Sequence, residues 1–148
     1  MPVLPVTNRP RTTISDEVFG RLRMRLAADH PELTDLYISR IIDQTLAFLD
    51  ACARTPDTAL SPSKPVDLGW HAFILHTADY ADFCQRAAGR FIHHLPAHSD
   101  GQTAATITET TATMRALGLP VDDELWATAS TGKCTQCHAG CYDSPKGR

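Results

Sequence analysis

Three cysteines and a histidine stand within one short run, Lys133-Cys134-Thr135-Gln136-Cys137-His138-Ala139-Gly140-Cys141, with nothing apolar around them. A Cys-x-x-Cys knuckle is the spacing by which two thiolates grip one tetrahedral ion, and Cys141 is near enough to add a third. The fourth donor is either His138, whose adjacency to Cys137 strains simultaneous ligation, or a histidine from the region between His71 and His98. Zinc is the ion this donor set predicts first. Iron, or an iron–sulfur cluster held by three thiolates and one outside ligand, is the alternative. Cys134-Thr-Gln-Cys137-His138 also matches the c-type haem attachment pattern, although that chemistry follows export and no leader is visible at the N-terminus. A dithiol redox pair, or a tail without ligand that acts as an interaction or redox-switch segment, completes the set of readings.

A second constellation runs from Val66 to Cys84 and on through Gly89 to Pro96. It holds four of the seven histidines, His71, His76, His93 and His94, among aromatic and aliphatic residues. Imidazoles in such surroundings must be hydrogen-bonded, neutral or metal-bound, because a bare polar group removed from water costs several kcal/mol on the harsher transfer scales. Asp67 and His71 are four apart and share a helix face, so the carboxylate can orient the imidazole or ligate a metal with it. His76 is turned by about 140° from His71 and is expected to stack on Tyr80 instead. Cys84 lies about 19 Å along the axis from His71, too far to share an ion. Of the adjacent pair His93 and His94, one should face inward and could return to this helix; His98 is an exposed loop candidate. The neighbours Trp70 and Ile74 predict a buried His71. An enzyme reading follows, in which Asp67, His71 and His94 hold a catalytic ion with a position open for water or substrate. The plain alternative is that these are hydrogen-bonded core or surface histidines.

The elements that must position these groups read as helices. Residues 1–14 hold three prolines and no periodic apolar pattern, which predicts an extended arm. Ser15 followed by Asp16 and Glu17 starts a first helix with Val18, Phe19, Leu22 and Leu26 on one stripe, ending near His30-Pro31. From Glu32, the positions Leu33, Leu36, Tyr37, Ile41, Thr45, Phe48, Leu49 and Cys52 repeat at helical spacing until Arg54-Thr55-Pro56. Ser63 is a cap for a third helix from about Pro65 to Ala88, apolar on more than one side and therefore expected at the centre, and Gly89 ends it. Ile107, Met114 and Leu117 suggest a weaker helix up to Gly118, and Leu125 and Trp126 a short last one. No alternating strand pattern persists. The expected fold is an all-α, compact single-domain bundle of four to five helices over residues 15–129, with a Cys-rich tail over 130–148.

Composition narrows the function class. A chain of 148 residues can bury one real core. A formal charge of −3 with no basic cluster argues against nucleic acid as a partner. No apolar run approaches the ~20 residues that span a bilayer, so no membrane partner and a cytoplasmic location are expected. There, five cysteines point to ligands, redox thiols or core residues before disulfides. No phosphate-binding loop, nucleophile elbow or H-E-x-x-H motif occurs, and any small-molecule or protein partner is left unnamed.

Trp70-His71, Leu75, Tyr80, Cys84 and then Gly89 are similar to the glycine-rich domain-containing protein-like family, whose pattern is approximately W-H-x-H-x-L-x-P-x-x-Y-x-x-x-C. The likeness covers about residues 32–96 and implies a helical fold in a short bacterial-style member without the glycine-rich tail. The chain departs from that pattern at Phe73, where the family has histidine, and at Thr77, where it has proline. The cysteine tail is not part of the likeness.

Overall fold

Four helices of the computed structural model, which describes residues 10–94 and 104–127, begin where a side chain accepts a hydrogen bond from a backbone N–H of the first turn. Ser15 Oγ accepts from the N–H of Val18 to open α1 (Asp16–Asp29), and Thr34 Oγ1 accepts from Tyr37 to open α2 (Asp35–Arg54). Ser63 does the same for Val66 in α3 (Lys64–Leu75), with Pro65 in the first turn, where its missing N–H costs nothing. α4 (Thr77–Ala88) follows after one residue and ends at Gly89, which takes the left-handed conformation at φ 69°. α5 (Ile107–Ala116) has a reciprocal capping box between Thr106 and Glu109, and α6 (Asp123–Trp126) is a single turn. Among the described residues there is no strand, and the fold is all-α.

α2 is the central element. Ile38, Ile41, Ile42, Leu46, Ala47, Phe48, Leu49 and Ala51 are each at most 2 % exposed, because α1, α3, α4 and α5 all pack around this helix. Leu36, expected on the buried stripe, is instead 72 % exposed, since it lies on the side of the helix opposite Ile38, two residues on, which faces the core. The segment expected as one continuous central helix from Pro65 to Ala88 is divided at His76. The His76 backbone N–H reaches Phe73 O rather than the carbonyl four residues back, and His76 Nδ1–H donates to that carbonyl, Ala72 O, at 2.9 Å. The imidazole thus replaces its own backbone as donor and opens the helix, which is why it does not stack on Tyr80. Two shorter helices each need one buried face, so Ala81 and Ala87 are exposed.

α3 lies close on α2 at Gly69. A Cβ there would overlap Thr45 Oγ1 and come within 2.9 Å of Ile41 Cγ2. Thr45 Oγ1 donates along its own helix to Ile41 O at 2.8 Å and lies 3.3 Å from Val66 O of α3. Gln44 ties α6 to α2 from the other side: its Oε1 accepts from Asp122 N–H at 3.1 Å and Trp126 Nε1–H at 2.7 Å, and its Nε2–H donates to Pro120 O at 3.3 Å. Residues 10–14 of the arm are partly folded onto the bundle. Arg11–Thr13 form a 3-10 turn, the Arg11 guanidinium lies 3.4 Å over the Phe19 ring, and Ile14 is 8 % exposed. No described helix is long and apolar enough to cross a membrane.

Candidate metal centre

Asp67, on the first turn of α3, is 9 % exposed, a position that a carboxylate tolerates only with a partner. It has two. Asp67 Oδ1 accepts from His94 Nε2–H at 2.7 Å, and Asp67 Oδ2 lies 3.8 Å from His71 Nδ1, one turn further along the helix. The two imidazoles face each other with ring centroids 4.5 Å apart. One donor atom from each of Asp67, His71 and His94 lies within 4.8 Å of the others.

His94 is brought there by a chain of contacts that the break at His76 makes possible. With α4 redirected, Tyr80 is fully buried, and its Oη accepts from Trp70 Nε1–H at 2.9 Å and donates to Ile92 O. Burial pushes the Tyr80 phenol far above its usual range, so the hydroxyl keeps the proton that this bond requires. The N–H of Ile92 in turn faces Cys84 Sγ at 3.5 Å. Ile92 is held at both backbone groups, and two residues later His94 lands on the Trp70 ring, centroid to centroid 4.2 Å, with its Nε2 on Asp67. Of the adjacent histidines His94 is the inward one; His93 is exposed and packs against Phe91.

His71 does not have the buried environment expected of it. Its side chain is 51 % exposed, against 18 % for His94 and 12 % for Asp67, because the apolar face of α3 is carried by Val66, Trp70 and Phe73 while His71 points to solvent. The cluster therefore has a dry wall, formed by Trp70, and a wet side at His71. Metal–nitrogen and metal–oxygen bonds of about 2.0–2.2 Å place neighbouring donors roughly 3.3–3.6 Å apart around a tetrahedral ion. His94 and Asp67, in direct hydrogen bond at 2.7 Å, would part slightly to admit an ion, and His71, half-exposed, would close from the solvent side. Three protein donors and a solvent-facing position form the arrangement found in open metal sites.

The other thiols of the bundle do not join this group. Cys84 is buried beneath Ile92, and Cys52, whose thiol burial pushes up to about 12, stays protonated. Cys134, Cys137, His138, Cys141 and His98 lie outside the described residues. Sequence reasoning found Asp67, His71 and His94 but not Trp70, Tyr80 and Ile92 as the parts that hold His94 in place. The spacing of Tyr80 from Trp70 becomes meaningful only once the helix is broken between them.

These features define an all-α bundle with a two-histidine, one-carboxylate cluster at its surface. The chain belongs to the UCP032817-like family, which it matches over residues 11–115. That assignment corrects the resemblance to the glycine-rich domain-containing protein-like family. Phe73, where that pattern has a histidine, is fully buried here against Tyr80 and Phe83, a core position in which an imidazole would need a partner. No curated protein and no solved structure matches the chain.

Proposed function

We propose that this protein binds one divalent transition-metal ion through Asp67, His71 and His94. The observation that carries the reading is the convergence of three donors from two separate chain segments, one of them a buried carboxylate, within 4.8 Å. The ion takes the place of the proton shared by His94 and Asp67, and His71 closes on it from the solvent side. Mixed nitrogen and oxygen donors suit zinc first, and iron(II) is the other ion for which two histidines and one carboxylate form a familiar open set. The fourth position is left for water or another donor. A bound water there would be acidified and could serve hydrolytic chemistry, which is what an enzyme built on this site would use.

Elemental analysis of the purified full chain tests the reading. About one ion per chain is expected, falling to a small fraction in His71→Ala, which removes an exposed ligand without disturbing the core. Equal metal content in the parent and in this variant would refute the assignment.

A further inference from the structure

We propose that the fourth position on the ion held by Asp67, His71 and His94 takes the carboxylate of a small molecule with an apolar body, which lies on Leu75 and Phe91. The proposal rests on the metal reading above and adds to it the class of ligand. Charge selects the head group. A divalent ion on one carboxylate and two neutral imidazoles carries a residual +1, which one singly charged oxygen donor cancels. A phosphate dianion would need further positive charge, and among the described residues no lysine or arginine pairs with Asp67, whose two partners are the histidines. The carboxylate takes the place of a bound water, one oxygen donor for another, with no covalent change in the ligand.

The surroundings of the open side select the body of the ligand. Met24, Leu36, Leu75 and Phe91 are the large apolar side chains left exposed among the described residues, and the last two stand next to the metal-site histidines. Leu75 is 58 % exposed and follows His71 by one helical turn, so the two side chains share the solvent side of α3, about 6 Å apart at Cβ. Phe91 is 46 % exposed and precedes His94 by three residues; its ring lies edge-on to Tyr80 at 5.2 Å and against His93 at 4.9 Å, held on one side and open on the other. The core does not call on either, since Phe73 and Tyr80, both fully buried, close it at this end. Single exposed apolar residues are ordinary, but here two flank the site on the chain segments that carry His71 and His94. On the other side of His71, toward the start of the helix, stand Asp67 and the exposed Lys64, so the apolar body extends toward the end of α3.

Titrations of the cobalt(II)-loaded full-length protein test this, with acetate, butanoate, hexanoate and octanoate as probes and the visible spectrum of the metal as the readout. Complete burial of a methylene is worth about fourfold in affinity, and a chain covered on one side about twofold per methylene. Octanoate is therefore expected to bind on the order of fiftyfold more tightly than acetate. In Leu75→Asn, an exposed position that can change without harm to the core, that ratio should fall by at least about threefold, and further when Phe91→Ala is added. Each ratio is taken within one cobalt-loaded protein, so it does not depend on how tightly a variant holds the ion. Equal binding of acetate and octanoate in the parent would overturn the inference and leave the metal site standing. So would a chain-length ratio that survives both substitutions, or octanoate that binds by calorimetry without altering the cobalt spectrum. If the parent takes up no more cobalt than His71→Ala, the metal reading fails and the ligand class with it.

Discussion

Asp67 and His94 are 27 residues apart in the chain and 2.7 Å apart in the fold, joined by a bond between a buried carboxylate and a half-buried imidazole. That bond fastens the segment after Gly89 to the first turn of α3. It also makes the two residues unequal partners to His71, which faces the same carboxylate from solvent. Substitutions at the three positions should separate accordingly.

His94→Ala leaves the Asp67 carboxylate buried without its hydrogen bond and strips a ring from Trp70, so a loss of about 1–3 kcal/mol in unfolding free energy is expected for the apo protein. His71→Ala removes a half-exposed side chain and should stay within about 0.5 kcal/mol of the parent. Urea denaturation in the presence of a chelator measures both. Equal losses for the two variants would show that exposure does not distinguish their roles.

Tyr80→Phe keeps the ring and deletes one oxygen, which leaves Trp70 Nε1–H without its acceptor and Ile92 O without its donor. The expected cost is about 1–3 kcal/mol, with a metal affinity reduced by roughly ten- to hundredfold because His94 loses its anchor two residues away. Affinity is the discriminating readout. A variant that melts early but binds metal as the parent does would show that Tyr80 serves packing alone.

Gly69→Ala should be destabilising although alanine is the better helix former. The added methyl meets Thr45 Oγ1 and Ile41 Cγ2 on α2, so α3 must shift away, an overpacking cost of about 1–3 kcal/mol. Gly69→Ala combined with Thr45→Ala should recover part of the loss, since the second change removes the obstructing oxygen. A single variant that melts at or above the parent temperature would contradict the close approach of the two helices.

Acid stability should depend on Arg40. Its hydrogen bonds hold the Asp122 carboxyl below the usual carboxylate range, at 2.7 and 2.8 Å. A carboxyl whose folded pKa lies below its unfolded value near 4 adds stability above that value and loses it as pH falls through the folded one. Asp43 works in the opposite sense. Burial raises its pKa, partly offset by Arg11 at 3.6 Å, so its protonation on acidification favours the fold. In Arg40→Met the fall in melting temperature between pH 5 and pH 3 should therefore be shallower than in the parent. An unchanged pH profile would mean that the pair is screened into insignificance.

The amino-acid sequence by itself determined what depends on neighbours along the chain. Ser15 and Ser63 cap helices because a hydroxyl reaches the N–H three residues on, Gly89 ends one because it accepts positive φ, and Asp67 and His71 share a face because they are four apart. It also marked His94 as a partner for that face. Only the tertiary structure decided which helix is central, where the third expected helix breaks, and which of the two partner histidines is dry. The His76 break follows from a choice between a backbone and a side-chain donor for one carbonyl, a choice that helical periodicity does not register. The exposure of His71 beside a buried Trp70 follows from where α2 lies, and so does the need for glycine at position 69. Periodicity reports which residues share a face; which face is covered is settled by the elements that pack against it.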